Sequence, residues 1–359
     1  MIPYFLLIGL PILAWGISSK YRFTLNRRVL FETNALPMDL FMLSFLCLLA
    51  LRGLKCGSDT VQYARHFEEY GQMSYSWIIR MYDQERGFKL LAKLVYDLGG
   101  SYQVFLGVTA CLCVVPIWYL YRRESDHQLL TMAIFLAVAP FSMYFSGIRQ
   151  AIAMSVGLLA WYAARDKKRI LFLLCVAVAM SFHTSAFILL AIYPLYSARI
   201  TQKWLLVVIP VMLGVFMFRT PIFNFLLRFL WEEYETTPET GATTTLILLI
   251  LFTVYAYLIV DDERLERDVI ALRNILLLSI IIQVFAMLHP LSMRMNYYFL
   301  LYVPILVPRI AARSQKRYQQ VAKLSVIVMT AYFMFYFVSK IVKDIDSLNI
   351  FPYTFFWQG

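Results

Sequence analysis

Arg149 holds the position in this chain best suited to chemistry. Ser146 and Gly147 before it offer a cap and a tight turn, and Gln150 after it begins an apolar helix. A helix N-terminus presents unpaired amides and the positive end of the backbone dipole. An arginine there makes an anion site suited to a phosphate or diphosphate, with Gln150 as a neighbouring ligand. The plainer alternative is a guanidinium that snorkels at a membrane interface. His183 lies between Phe182 and Thr184, at a polar break in a long apolar stretch. An imidazole there can accept a proton from a sugar hydroxyl or hold a phosphate oxygen, or it can be a buried histidine bonded to Thr184 or a carbonyl. Asp59, in Gly57-Ser58-Asp59-Thr60 with Tyr63 four residues on, reads either as a capping carboxylate or as a general base or sugar orienter. Arg294 follows His289 and Pro290 and precedes Asn296, Tyr297 and Tyr298; it is a second phosphate clamp or, equally, an interfacial anchor. Two arginines meeting at one face can replace a metal in neutralising a diphosphate leaving group.

Other patterns carry less. Asp344 and Asp346 form an Asp-x-Asp near the C-terminus, a spacing that can hold a divalent ion beside a nucleotide sugar. No glycine-rich nucleotide fold accompanies it, and no metal is expected. There is no nucleotide-binding motif, no Cys/His metal cluster and no Gly-x-Ser-x-Gly nucleophile elbow, which argues against ATP-driven transport. Of five cysteines only Cys56 lies in a polar segment, so no disulfide or zinc framework follows.

The elements that must position these residues are membrane helices. Of 359 residues 61% are hydrophobic and only 15% charged, and the mean hydropathy is +0.66. That excess of apolar side chains rules out a soluble domain and calls for lipid as solvent. The net charge of +11 comes from short basic clusters between apolar runs, which fits membrane anchoring and not nucleic acid. Each crossing of about 30 Å of hydrocarbon needs roughly 20 apolar residues in helix. Spans are read at about 2–19, 36–52, 101–121, 128–146, 150–164, 203–219, 243–260, 269–288, 296–312 and 321–341. The stretch 170–196 is too long for one untilted span and is read as two short helices meeting near His183. The expectation is an all-α polytopic bundle of about twelve spans, a single integral membrane domain over residues 1–359.

Residues 2–18 are apolar with no positive residue before them, while Lys20, Arg22, Arg27 and Arg28 follow, the reverse of a signal peptide. The first helix is expected to stay, with its N-terminus outside. Alternation then puts Arg122 and Arg123, the run Arg165 to Arg169, the group Arg264, Arg267 and Arg273, and the cluster from Arg309 to Lys323 on the cytoplasmic side. The same layout places Arg149, His183, His289 with Arg294, and Asp59 on the outer side. Two outer segments are not spans. Residues 53–100 contain an amphipathic stretch around Tyr63, Phe67 and Tyr70, then Phe88, Leu91, Leu94 and Val95 with Lys89 and Lys93 opposite, read as helices lying on the membrane. Residues 219–243 form an outer loop, with an amphipathic piece at 221–231 before an acidic, Thr-rich stretch that could act as a lid.

The run Tyr144-Phe145-Ser146-Gly147-Ile148-Arg149-Gln150-Ala151-Ile152-Ala153, followed by Ser181-Phe182-His183-Thr184-Ser185-Ala186, resembles the EpsG-like family of bacterial polysaccharide polymerases, the Wzy type. Gly57-Ser58-Asp59-Thr60 with Tyr63, Arg294 with Tyr297 and Tyr298, and Ile350-Phe351-Pro352-Tyr353 also resemble that family; Ser58 stands where threonine is expected. The resemblance implies an enzyme of the bacterial cytoplasmic membrane that joins oligosaccharide repeat units on the outer face. Donor and acceptor would both ride on polyprenyl diphosphate, with a chain-length regulator as a further partner and no nucleic acid. It also implies a bundle related to the metal-independent, lipid-dependent glycosyltransferases, with no nucleotide sugar, ATP or cofactor. On this basis Arg149 and Arg294 meet the diphosphate, His183 or Asp59 takes the acceptor proton, and Tyr63, Tyr297 and Tyr298 stack on sugars. The rival readings are a polysaccharide flippase, a membrane acyltransferase using His183, and a ligase that transfers finished glycan.

Overall fold

The computed structural model describes residues 1–18, 22–25, 28–32, 35–81, 85–138, 140–230, 241–260, 265–343 and 348–358, with side chains omitted within 18–34 and 227–230. The chain is helical almost throughout. In order come α1 (Ile2–Ser18), a short antiparallel hairpin of β1 (Arg22–Leu25) and β2 (Arg28–Glu32), and α2 (Leu36–Ala50). Three amphipathic helices follow, α3 (Thr60–Gln72), α4 (Tyr75–Arg80) and α5 (Arg86–Asp97), then the long α6 (Tyr102–Glu124). Next are α7 (Gln128–Ala137), α8 (Pro140–Ser146), α9 (Ile148–Gly157), α10 (Leu159–Arg165) and α11 (Arg169–Phe182). A 3-10 helix (Thr184–Ala191) leads to α12 (Ile192–Ser197), α13 (Leu205–Met217), α14 (Arg219–Leu230) and α15 (Ala242–Leu258). The chain closes with α16 (Arg267–Ala286), α17 (Pro290–Leu300), α18 (Val303–Ala312) and α19 (Gln319–Lys343).

Burial follows the logic of a membrane bundle. On α13 and α19 Leu206, Met217, Ile327 and Phe335 are exposed, while polar Asn274, Ser279, Gln283 and Asn296 are fully buried. Ser279 donates to Asn296 at 2.7 Å, Asn296 to Gln283 at 2.7 Å, and Gln283 to the carbonyl of Ala242 at 3.0 Å, tying α16, α17 and α15 together. Hydrogen bonds and close packing hold helices where lipid offers no hydrophobic contrast between them.

The span list needs correction in its details. Among the described residues three helices are long and apolar enough to cross a membrane, Tyr102–Glu124, Arg267–Ala286 and Lys316–Lys343, and up to six if each bent pair counts as one span; four shorter apolar helices accompany them. The stretch read as 128–146 is two helices, and 150–164 is interrupted at Leu158. The stretch read as 296–312 starts at Pro290 and bends by 45° between α17 and α18. The helices break within apolar sequence at these points, which hydropathy does not register. The break near His183 is where polarity placed it: α11 ends at Phe182, and His183 is extended at φ −155°.

The segment 53–100 also packs differently from its expected register. Phe88, Ala92 and Val95 are buried as helical spacing requires, but Lys89 is only 2% exposed and lies 5.6 Å from the Tyr70 ring centroid, while Leu94 and Leu98 face outward. The buried face is therefore rotated toward Lys89, because α5 packs on α3 and α11 and not only against lipid. On α14 Phe223 is buried against Phe285 and His289, while Phe225 and Leu226 are exposed. The Thr-rich stretch up to residue 240 and the Asp344-x-Asp346 pair lie outside the described residues.

Charged groups gather at the two ends of the bundle. At the end far from Arg149, buried Glu124 accepts from Arg309 at 2.7 Å and from Arg165 at 3.1 Å, and Arg313 pairs with Asp126 and Glu266. Arg273, grouped above with the loop cations, is instead fully buried in α16, its guanidinium 4.1 Å from the Tyr257 ring centroid. Glu124→Ala leaves the buried Arg309 charge with only the more distant Asp126, 3.4 Å from its Nε, and is expected to cost about 3 kcal/mol, the low end for a broken buried pair. Thermal unfolding in detergent should report that loss.

Candidate active site

The site is assembled where the Gly57 turn, the start of α9, the end of α11 and the entry to α5 converge. Gly57 sits at φ +98°, in the left-handed region, and a Cβ there would stand 2.2 Å from the carbonyl oxygen of Phe145. Only glycine allows that approach. It brings Ser58 Oγ to 2.5 Å from Ser146 Oγ, so Ser146 binds the neighbouring turn and does not cap α9 as expected. The C-terminal segment braces the turn from the other side. The amides of Gly57 and Ser58 donate to the carbonyls of Asn349 and Leu348 at 2.8 Å, and the Tyr353 hydroxyl donates to the Leu48 carbonyl. Asp59 is half-buried at the N-cap position of α3, but its carboxylate accepts from Ser58 Oγ at 2.9 Å and makes no capping bond.

Arg149, in the first turn of α9, and His183, at the end of α11, meet on one carboxylate that the sequence analysis did not single out, Glu85. Its Oε2 takes Arg149 Nη1, and its Oε1 takes His183 Nδ1. Glu85 is 9% exposed at the side chain, against 38% for Arg149 and 24% for His183, so the acid is buried beneath two groups that reach solvent. Two features hold it there. Gly87 lets α5 approach α11 so closely that a Cβ would lie 2.4 Å from Ser181 Oγ, and Glu85 itself adopts φ +79°. A glutamate in the left-handed region carries strain that surrounding contacts must offset, a feature concentrated at functional sites.

Aromatic rings flank the guanidinium. Arg149 Cζ lies 5.9 Å from the centroid of buried Tyr63, and His66 stacks on Tyr70 one turn further along α3. Burial pushes the Tyr63 hydroxyl above its ordinary pKa, Arg149 opposes that shift, and Asp59 adds to it. The Arg149 Nε–H is buried and has no hydrogen-bond partner, so Glu85 does not satisfy the guanidinium completely.

The remaining candidates divide. Gln150 turns inward and donates from Nε2 to the backbone carbonyl of Arg294 at 2.7 Å, which fixes α17 against α9. The Tyr298 hydroxyl is 3.0 Å from Ser185 Oγ, two residues beyond His183, so Tyr298 borders the site. Tyr297 instead lines a separate cleft of 370 Å³ with Met293, Tyr332, Tyr336 and Lys340. On a helix of 100° per residue Arg294 falls between the directions of Tyr297 and Tyr298, and its side chain is exposed. His289 caps α17, its Nδ1 accepting from the Leu291 amide at 3.1 Å. Among the described residues no three His, Cys, Asp or Glu side chains stand together as metal ligands.

Glu85 lies 64 residues from Arg149 and 98 from His183. Its own neighbourhood, a polar stretch ending in Arg86-Gly87, gives no periodic signal. Gly87 opening an amphipathic helix was the available hint of a close approach. The EpsG family model matches residues 38–355. No curated protein and no solved structure matches the chain. With Glu85, Arg149, His183, Arg294 and the C-terminal brace all inside the matched region, the chain belongs to the EpsG family.

Proposed function

We propose that this protein is a polysaccharide polymerase that transfers a glycan from polyprenyl diphosphate to a hydroxyl of another polyprenyl-diphosphate-linked repeat unit. Family membership supports a polymerase-type role in exopolysaccharide synthesis. The observation that carries the particular reaction is the junction of Arg149 and His183 on Glu85, because the transfer needs positive charge at the leaving group and a base at the attacking hydroxyl within one site.

In this reading Glu85 holds the Nδ1–H of His183, which leaves Nε2 to accept the proton of the acceptor hydroxyl. The acceptor oxygen forms the new bond to the anomeric carbon. The bond from that carbon to the diphosphate oxygen breaks, with its electron pair leaving on the phosphate beside Arg149. Arg294, exposed on α17, would extend the cationic surface, and Tyr63 and Tyr298 would border the sugar. Asp59 takes the lesser part, since its carboxylate is held by Ser58 Oγ at 2.9 Å while Glu85 meets both Arg149 and His183. The chain would sit in the bacterial cytoplasmic membrane in about twelve crossings, with the Arg149 end facing outward, and its bundle would be related to the metal-independent lipid-dependent glycosyltransferases.

Purified protein incubated with lipid-linked repeat units, and without nucleotide sugar, is expected to produce a ladder of glycan lengths on gel electrophoresis. Units that stay single with well-folded protein would defeat the proposal. Single units moved across vesicles without joining would favour a flippase.

A further inference from the structure

Resting on the reading of Arg149 as the diphosphate ligand, one consequence concerns what a diphosphate does to Glu85. The two contacts of this carboxylate use different oxygens, Oε2 for Arg149 and Oε1 for His183, so one can break while the other persists. The side chain is nearly buried, so water screens it only in part from a phosphate arriving at the same guanidinium. Two anions within hydrogen-bonding distance of one another repel strongly in such surroundings. The groups facing Glu85 from the packed elements are Arg149 of α9, His183 at the end of α11 and, within electrostatic reach, Tyr298 of α17.

We propose that Glu85 is a positioning residue that couples donor binding to base readiness: a diphosphate displaces it from Arg149, and its carboxylate passes wholly to His183. While Glu85 is shared, its charge is divided between guanidinium and imidazole. Once Arg149 is taken by phosphate, the full carboxylate faces the Nδ1–H, and Nε2 becomes a stronger base. The proton acceptor is then strongest when the leaving group is already held, which disfavours attack in the wrong order. The left-handed backbone of Glu85 and the tight Gly87–Ser181 contact set the pivot about which the side chain moves.

The test uses the full-length protein in detergent, with inorganic pyrophosphate as the probe and calorimetric titration as the readout. Glu85→Gln removes the competing charge, so pyrophosphate should bind about tenfold tighter while turnover with lipid-linked units falls about tenfold. A carboxylate with a merely structural role would weaken both. His183→Ala leaves Glu85 no alternative partner and should weaken pyrophosphate binding a few-fold; this variant carries the test if Glu85→Gln does not fold. Glu85→Asp should recover part of the turnover lost in Glu85→Gln. Equal or weaker pyrophosphate binding by folded Glu85→Gln, or unchanged binding by His183→Ala, would overturn the coupling. Unchanged binding by Arg149→Ala would instead strike the diphosphate assignment beneath it.

Discussion

Arg149→Ala is expected to leave the protein folded and inserted while lowering polymer formation by about 10²–10³-fold, the scale on which a lost electrostatic contact to a developing charge shows itself. The substitution removes the guanidinium that sits at the start of α9 and leaves Glu85 with His183 alone. In the proposed reaction it takes away the charge opposite the leaving diphosphate. The carboxylate then passes to His183, which strengthens the base but cannot replace the lost positive charge. Arg149→Lys should recover part of the activity, because an ammonium keeps the charge but cannot match phosphate oxygens with a planar fork. The measurement is glycan chain length in cells carrying each variant at matched membrane abundance, followed by ladder formation with purified protein. A normal length distribution from Arg149→Ala would remove this residue from the mechanism.

The second large effect is at His183. His183→Ala should reduce turnover by about 10²–10⁴-fold, as expected for loss of a general base, with a much smaller change in apparent donor affinity. The histidine's contact through Nδ1 makes this prediction specific. His183→Asn or His183→Gln can keep a hydrogen bond to Glu85 yet offers no nitrogen lone pair to the acceptor, so neither should rescue. Asp59→Asn gives the comparison. If the carboxylate bonded to Ser58 were the base, that variant would fall as far as His183→Ala; a loss of less than about tenfold is expected from its indirect position. Equal deficits in both would reopen the choice between them.

The geometry also explains which parts of the sequence reading reached the site and which stopped short. Arg149 and His183 stood out because each places a polar, chemically capable side chain at the interruption of an apolar run, a local property. The turn at Gly57 was visible for the same reason. Glu85 was not, since a glutamate in a polar segment has no distinguishing neighbours until α5 docks against α11. The tyrosine pair at 297 and 298 looked like a single patch, yet one residue of helical rotation, 100°, sends Tyr297 into the cleft with Lys340 and Tyr298 toward Ser185. Gln150, adjacent to Arg149, turned out to grip the α17 backbone, which is how Arg294 is drawn near α9.

Composition alone required lipid as the solvent, helices as the elements and polar breaks as the places where unusual side chains gather, because unpaired backbone amides and isolated charges are costly in hydrocarbon wherever they fall in the chain. Packing decided the rest: where apolar runs bend, which face of α5 is buried, and above all that one carboxylate joins a guanidinium and an imidazole far from it along the chain. Hydropathy and spacing describe a segment against its solvent. A contact between segments depends on how their surfaces fit, and that is fixed only when the helices assemble.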